Sequence, residues 1–305
     1  MQAAQHFLMI RPVQFAFNAE TAVNNSFQQK QPDSTVQIKA LAEFDHLVNT
    51  LRAAEIDILV IDDTVAPHTP DSIFPNNWIS FHDNGHVYLY PMFAENRRLE
   101  RKQHVLDAIA NRFQLVEIVD LSNNESKQQF LEGTGSMVLD RDNDIAYACI
   151  SPRTHPSVLH DFCAREHYRP VSFSAVDERR QPIYHTNVMM CLATNYAVVC
   201  MESIHDPAER ENLRDNIVGS GKELIGISIE QMAHFTGNML QVQNRKGQPL
   251  LVMSTQAYKS LTPSQLNKLE SYNPIVHADI STIETNGGGS ARCMIAEVFL
   301  SPDIH

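Results

Sequence analysis

Four stretches of the chain follow one pattern and recur at nearly equal intervals. They read NNWISFHDNGHVYLYPM from Asn76, GSMVLDRDNDIAYACISP from Gly135, TNVMMCLATNYAVVCMES from Thr186 and GNMLQVQNRKGQPLLVMS from Gly237. Each is an apolar run, a turn rich in Asp, Asn or Gly, and a second apolar run, which is the chemistry of a β-hairpin. Their starts lie 59, 51 and 51 residues apart. Similarity at a nearly fixed period signals a repeat architecture. The segments between hairpins repeat as well. After the first hairpin, ENRRLERKQHVLDAIANRF places Leu99, Leu106, Ile109 and Phe113 on one helical face, followed by a short strand in LVEIVDL. The chain's beginning fits the same scheme, with HFLMIRP as a strand, a helix over KALAEFDHLVNTLRAA with Leu41, Phe44, Val48 and Leu51 in register, and IDILVID as a second strand. This predicts five ββαβ units, the first and last sharing a closing strand, in a single domain over residues 1–305. A doubly wound parallel sheet needs helices between most of its strands, and four hairpins in a row speak against it.

Bulk properties narrow the function. With 305 residues, 43% hydrophobic, the chain is long enough to bury a sizeable core. The net charge of -12, without a Lys/Arg cluster, argues against a nucleic-acid partner. No apolar run reaches membrane-spanning length, and the first residues, MQAAQHFLMIRPVQF, lack the layout of a signal peptide. Five cysteines with no CxxC pair argue against a disulfide framework or structural zinc. A cytoplasmic location with reduced thiols is the expectation, with a homo-oligomer left open.

The polar residues at the entrance of each hairpin carry the chemistry. They are Asn76 and Asn77 in DSIFPNNW, Glu132 in FLEGTGSM, His185 and Asn187 in YHTNVMM, His234 and Asn238 in HFTGNML, and Cys293 in NGGGSARCM. If the repeats are related by rotation, these positions converge. A thiol, an imidazole and a carboxylate would then form a nucleophilic unit. The three glycines before Cys293 mark a backbone that takes positive φ or approaches something closely. They precede a strand, unlike a phosphate-binding loop. The other cysteines read as small buried hydrophobes.

The order Asn77, Glu132, His185, Cys293 on a five-fold repeat resembles the pentein superfamily of guanidine-modifying enzymes, most of all the arginine-deiminase-related group proposed as citrulline-utilisation hydrolases. The resemblance covers nearly the whole chain. It implies a five-bladed α/β-propeller, with Cys293 as nucleophile, His185 as general acid/base and Glu132 as its carboxylate partner. It implies no metal and no cofactor. Arg292 or a neighbouring His is a candidate for lowering the Cys293 pKa. Arg153, in SPRTHP, is a candidate for a bidentate grip on a substrate α-carboxylate.

The departures from that family concern the substrate. Arginine deiminases carry carboxylates in a Phe-x-x-Asp motif and two residues after the histidine. Here FPNN ends in Asn77 and HTN in Asn187. A buried cation without carboxylate partners is penalised, whereas an amide pair suits a neutral ureido group. The expected substrate is thus a citrulline- or arginine-like amino acid, with the neutral ureido compound favoured, although Asp71 and Glu132 still supply negative charge. An arginine deiminase proper and an amidinotransferase share the same nucleophile and stay open. A non-catalytic propeller would need no such residues in register.

Overall fold

The computed structural model describes residues 1–31 and 33–303. It contains five separate three-stranded sheets built to one plan. The strands are β1 (His6–Arg11), β2 (Asp57–Asp62), β3 (Ile79–Phe81), β4 (His86–Leu89), β5 (Glu117–Asp120), β6 (Val138–Asp140), β7 (Ile145–Cys149), β8 (Arg169–Phe173), β9 (Met190–Leu192), β10 (Tyr196–Val199), β11 (Glu223–Gly226), β12 (Leu240–Gln243), β13 (Pro249–Ser254), β14 (Ile275–Ala278) and β15 (Ala296–Val298). The sheets are β15-β1-β2, β3-β4-β5, β6-β7-β8, β9-β10-β11 and β12-β13-β14. In each, the middle strand pairs antiparallel with one neighbour and parallel with the other.

The plan follows from the local sequence. The short turns allow antiparallel pairing, as where Gly85 adopts φ +87° in HDNG. The parallel third strand requires a crossover, supplied each time by helix. The crossovers include Val36–Ala53, Gln103–Ala110, Pro156–Arg165, Pro207–Gly219 and the pair Thr255–Ser260 and Pro263–Glu270. Helix starts carry their caps: Asp206 accepts from Ala208 N and Glu209 N before Pro207, and Thr262 forms a capping box with Gln265. The terminal sheet joins the two ends of the chain, His6 pairing with Val298 and with Asp57. Strand β15 lies against β3, and β9 lies against both β6 and β12. Among the described residues no helix is long and apolar enough to cross a membrane.

Two helical expectations need correction. The stretch after β4 is not one helix but two, Glu95–Arg98 and Gln103–Ala110, and Leu99 is exposed rather than aligned with Leu106 and Ile109. The break turns charged residues inward: Arg97 and Glu100 are buried as a pair, and Lys102 reaches Asp63. A continuous helix could not bury these three and also the apolar face. In the helix Val36–Ala53, Ala40 and Leu47 join Phe44, Val48 and Leu51 in the core, while Leu41 is only half-buried.

Candidate active site

Of the residues entering the five sheets, Asn77, His185 and Cys293 line one pocket, Glu132 bonds to His185, and Asn238 bonds to the thiol. Cys293 lies between the helix Ser281–Gly287 and β15 and is buried. The helix ends at Gly288, whose φ of +64° only glycine adopts without strain. A Cβ on Gly287 would fall 2.8 Å from the Phe74 ring, and one on Gly289 would fall 2.9 Å from it. The triple glycine thus turns the chain and lets Phe74 press against the loop carrying the thiol. Tyr184 Oη holds that loop by donating to Gly288 O at 2.5 Å.

Two amides face the sulfur. Asn187 Nδ2 lies 3.5 Å and Asn238 Nδ2 3.3 Å from Cys293 Sγ. Asn238 is itself fixed, because its Nδ2 also donates to Asn187 O at 2.8 Å and its Oδ1 accepts from Arg292 N at 3.0 Å. The side chain of Arg292 points elsewhere: it donates to Ile295 O at 2.9 Å and pairs with Glu297 at 2.7 Å. The expectation that Arg292 acts on the thiol is therefore corrected. Its charge is spent on Glu297, and amide donors stand at the sulfur instead. Among the remaining cysteines, burial pushes the Cys149, Cys163 and Cys191 thiols up to about 12. All five cysteines are free.

His185 and Glu132 form a buried pair, Nε2 to Oε2, at 2.7 Å. Burial would raise the Glu132 carboxyl, but Arg153, His185 and Arg97 outweigh it and hold Glu132 well below the usual carboxylate range. Burial pushes the His185 imidazole down to about 4, against the pull of Glu132. The resting imidazole is neutral at pH 7. Its Nε2–H donates to the carboxylate, which leaves Nδ1 as the basic nitrogen. Space beside the ring is kept by Gly135, where a Cβ would lie 2.9 Å from Nδ1.

The structure also shows why positions 76 and 77 are amides. Asn77 Oδ1 accepts from Arg97 Nη1 at 2.8 Å, and Asn77 Nδ2 donates to Asn76 Oδ1 at 3.1 Å. Asn76 reaches Thr134 Oγ1 at 3.3 Å. Arg97 is paired in bidentate fashion with Glu100 at 2.9 Å on both oxygens. Burial disfavours the Arg97 charge, yet Glu100, Asp71 and Glu132 overcome it and raise the pKa further. Asp71, fully buried, accepts from Asn18 at 2.8 Å and Thr21 at 3.1 Å through Oδ2, and its Oδ1 has no partner among the described residues. Burial raises its pKa.

Arg153 also lines this pocket, its guanidinium 4.9 Å from the Tyr184 ring centroid. Its Nε and Nη2 edge is already occupied by Asn24 Oδ1, at 2.8 and 2.5 Å. The bidentate grip expected from the sequence is therefore made to the protein's own chain. Asn24 belongs to the segment between β1 and the helix Val36–Ala53, and Thr21 and Asn25 of the same segment line the pocket, whose interior is about 10 Å³. His234 stays outside, exposed and bonded to Glu230 O at 2.8 Å. Among the described residues no group of three or more His, Cys, Asp or Glu side chains is placed to hold a metal ion.

Sequence reasoning overlooked Arg97, Asn24 and the contact of Asn238 with the thiol. Asn238 had a signal, since it occupies the entrance of β12 as Asn187 occupies that of β9. Arg97 had none, because it sits in a charged run that reads as a solvated helix face.

Comparisons with known proteins agree on the architecture. ArgZ, an arginine dihydrolase from the ornithine–ammonia cycle in cyanobacteria, superposes with a TM-score of 0.76 at 18% identity, covering 98% of this chain and 41% of that one. The chain thus spans about two fifths of full-length ArgZ. The N-terminal domain of ArgZ bound to substrate gives 0.75 at 17% identity, over 97% of this chain and 99% of that domain. A dimethylarginine dimethylaminohydrolase carrying an S-methyl-L-thiocitrulline adduct gives 0.67 at 13% identity, over 96% and 99%. Comparison with curated protein sequences gives no match. The family model described as N,N dimethylarginine dimethylhydrolase, eukaryotic, matches residues 11–300. The chain belongs to that family, and with it to the pentein guanidine-modifying hydrolases, enzymes of non-peptide C–N bonds.

Proposed function

We propose that the chain is a cysteine-dependent hydrolase that cleaves C–N bonds of the ureido group of a citrulline-like amino acid through a covalent thiol intermediate. One observation carries the substrate choice. The pocket presents an amide at Asn77, Asn187 places another beside the thiol, and the pocket already contains a guanidinium of its own, Arg97, bonded to Asn77. The carboxylates of Glu100 and Glu132 are already taken up by Arg97 and Arg153, so an entering cation finds little free counter-charge in a low-dielectric site, whereas a neutral ureido group needs none. The unpartnered Oδ1 of Asp71 favours a second reading, a guanidinium substrate of the kind named for ArgZ.

In the proposed course, His185 Nδ1 takes the proton of Cys293, and Asn187 and Asn238 donate to the resulting thiolate. Sulfur attacks the ureido carbon, the imidazolium gives its proton to the departing ammonia, and a thiocarbamate remains. His185 then deprotonates water, which displaces the thiolate. The carbamic acid so formed loses carbon dioxide and leaves an amine. Glu132 stabilises the imidazolium at each stage. The same proposal takes residues 1–305 as one domain and the five sheets as blades around a pseudo-five-fold axis. The contacts of β15 with β3 and of β9 with β6 and β12 support it. The test is steady-state turnover of citrulline and arginine side by side, following ammonia and ornithine. A larger kcat/KM for arginine would overturn the ureido reading.

A further inference from the structure

A second cavity, of about 270 Å³, adjoins the pocket that holds Cys293. The two share a wall. Asn25 and Gly287–Gly289 line the thiol pocket, while Ser26, Phe27, Glu284 and Thr285, their neighbours in the chain, line the cavity. The wall is aromatic: the Phe27 ring lies 6.0 Å from Tyr184 on the pocket side and 5.3 Å from Phe235 on the cavity side. Phe235 adopts φ +60°, an unfavourable conformation for a bulky residue that puts its ring into this wall. Beyond the wall the cavity reaches a wider surface groove through His234 and Gln256, which line both.

The two spaces differ in how their charges are matched. In the thiol pocket the guanidinium groups of Arg97 and Arg153 are matched by the carboxyl groups of Asp71 and Glu132. The cavity is lined by Glu284, Asp177 and Glu178, with Arg179 as its one Arg. Glu284 is 2% exposed. Its Oε1 accepts from Ser290 Oγ at 2.5 Å, Ser254 also lies close enough to ease the carboxylate, and its Oε2 has no hydrogen-bond partner within 3.5 Å among the described residues. A buried carboxylate oxygen without a donor is costly unless a ligand supplies one.

We propose that this cavity binds the product amine, an α,ω-diamino acid, with its side-chain ammonium donating to Glu284 Oε2 and Phe27 separating it from the thiol pocket. The inference rests on the ureido reading above. Hydrolysis converts a neutral side chain into one that ends in an ammonium, next to Arg97 and Arg153. Where it forms, the nearby carboxylates already serve Arg97 and Arg153, whereas across the wall Glu284 Oε2 is unengaged, so product release is directed toward the acidic side.

The test is isothermal titration calorimetry of the intact chain with L-ornithine and with L-norvaline, which lacks the side-chain ammonium. The expected result is ornithine binding at least tenfold tighter than norvaline, as one charged hydrogen bond implies. Glu284→Gln lowers ornithine affinity about tenfold and leaves norvaline little changed. Ala233→Trp, which fills the cavity from an exposed helix position, removes ornithine binding, with folding of both variants checked by circular dichroism. No ornithine binding by the unaltered chain, or binding that survives both substitutions, would overturn the proposal. Failure of the ureido reading is seen separately, in the citrulline and arginine kinetics, and leaves this binding result as it stands.

Discussion

The thiol pocket and the cavity behind Phe27 are neighbours, yet their charges are matched differently. The pocket has an interior of about 10 Å³, two buried guanidinium groups and a carboxylate kept ionised by them. The cavity has about 270 Å³ and a carboxyl that burial pushes up to about 7. The first is organised around fixed partners, with Asp71 Oδ1 the exception: Asn24 on Arg153, Glu100 and Asn77 on Arg97, Glu132 on His185. The second leaves Glu284 Oε2 without one. Such a contrast separates a place where charge is pre-organised for chemistry from one where charge waits for a partner.

The largest effect that tests this contrast is at the sulfur. Cys293→Ala is expected to lower turnover by at least ~10⁴-fold without loss of fold, as removal of a nucleophile does. Iodoacetamide should label Cys293 in step with inactivation, and substrate should protect it. Mass spectrometry that tied inactivation to Cys149 or Cys163, whose thiols burial keeps protonated, would break the assignment.

Next in size are the amides on the thiol. Asn238→Ala removes the donor 3.3 Å from Sγ. It is expected to cut kcat by roughly 10- to 100-fold and to slow alkylation of the thiol by iodoacetamide, because a charge-assisted hydrogen bond is lost. An unchanged alkylation rate would assign Asn238 to structure alone.

A smaller effect is expected at Asn77. Asn77→Asp places a carboxylate in the pocket, but Arg97, 2.8 Å from the present oxygen, neutralises much of it. The ratio of kcat/KM for arginine over citrulline should therefore rise by only about tenfold. A far larger rise would mean that Arg97 does not screen this position.

The smallest effect is on stability, and its sign distinguishes the two spaces. His185 has a folded pKa of about 4, below the ordinary 6.5, so the unfolded chain binds more protons between these values. That contribution is present above about pH 6.5 and is lost as pH falls toward 4. Glu284 is the reverse: its folded pKa of about 7 exceeds the ordinary 4.5, so its burial costs stability as pH rises from 4.5 through 7. Glu284→Gln should consequently gain on the unaltered chain by roughly 2 kcal/mol more at pH 8 than at pH 5. Thermal denaturation at the two pH values measures it, and a difference independent of pH would contradict the assigned burial.

What the sequence alone determined was whatever is written in local chemistry and repeated. Turns such as HDNG and NRKG, apolar runs of strand length and helical faces between them specify hairpin-plus-crossover units, and β15 pairing with β1 follows from the first unit lacking a strand. The repeat also set Asn77, Glu132, His185, Asn187 and Cys293 at equivalent entrances. The tertiary structure decided what each side chain faces. Arg292, one residue from the thiol, turns to Glu297, while Asn238, 55 residues away, reaches the sulfur. Arg97 leaves a run that reads as solvated helix because burial beside Glu100 and Asn77 satisfies its charge, and the helix breaks to allow it. Asn24 takes the edge of Arg153 across 129 positions of chain. Periodicity specifies which way a residue points from its own element. Which partner waits there depends on packing between elements distant in sequence, and a buried charge takes the orientation in which that partner satisfies it.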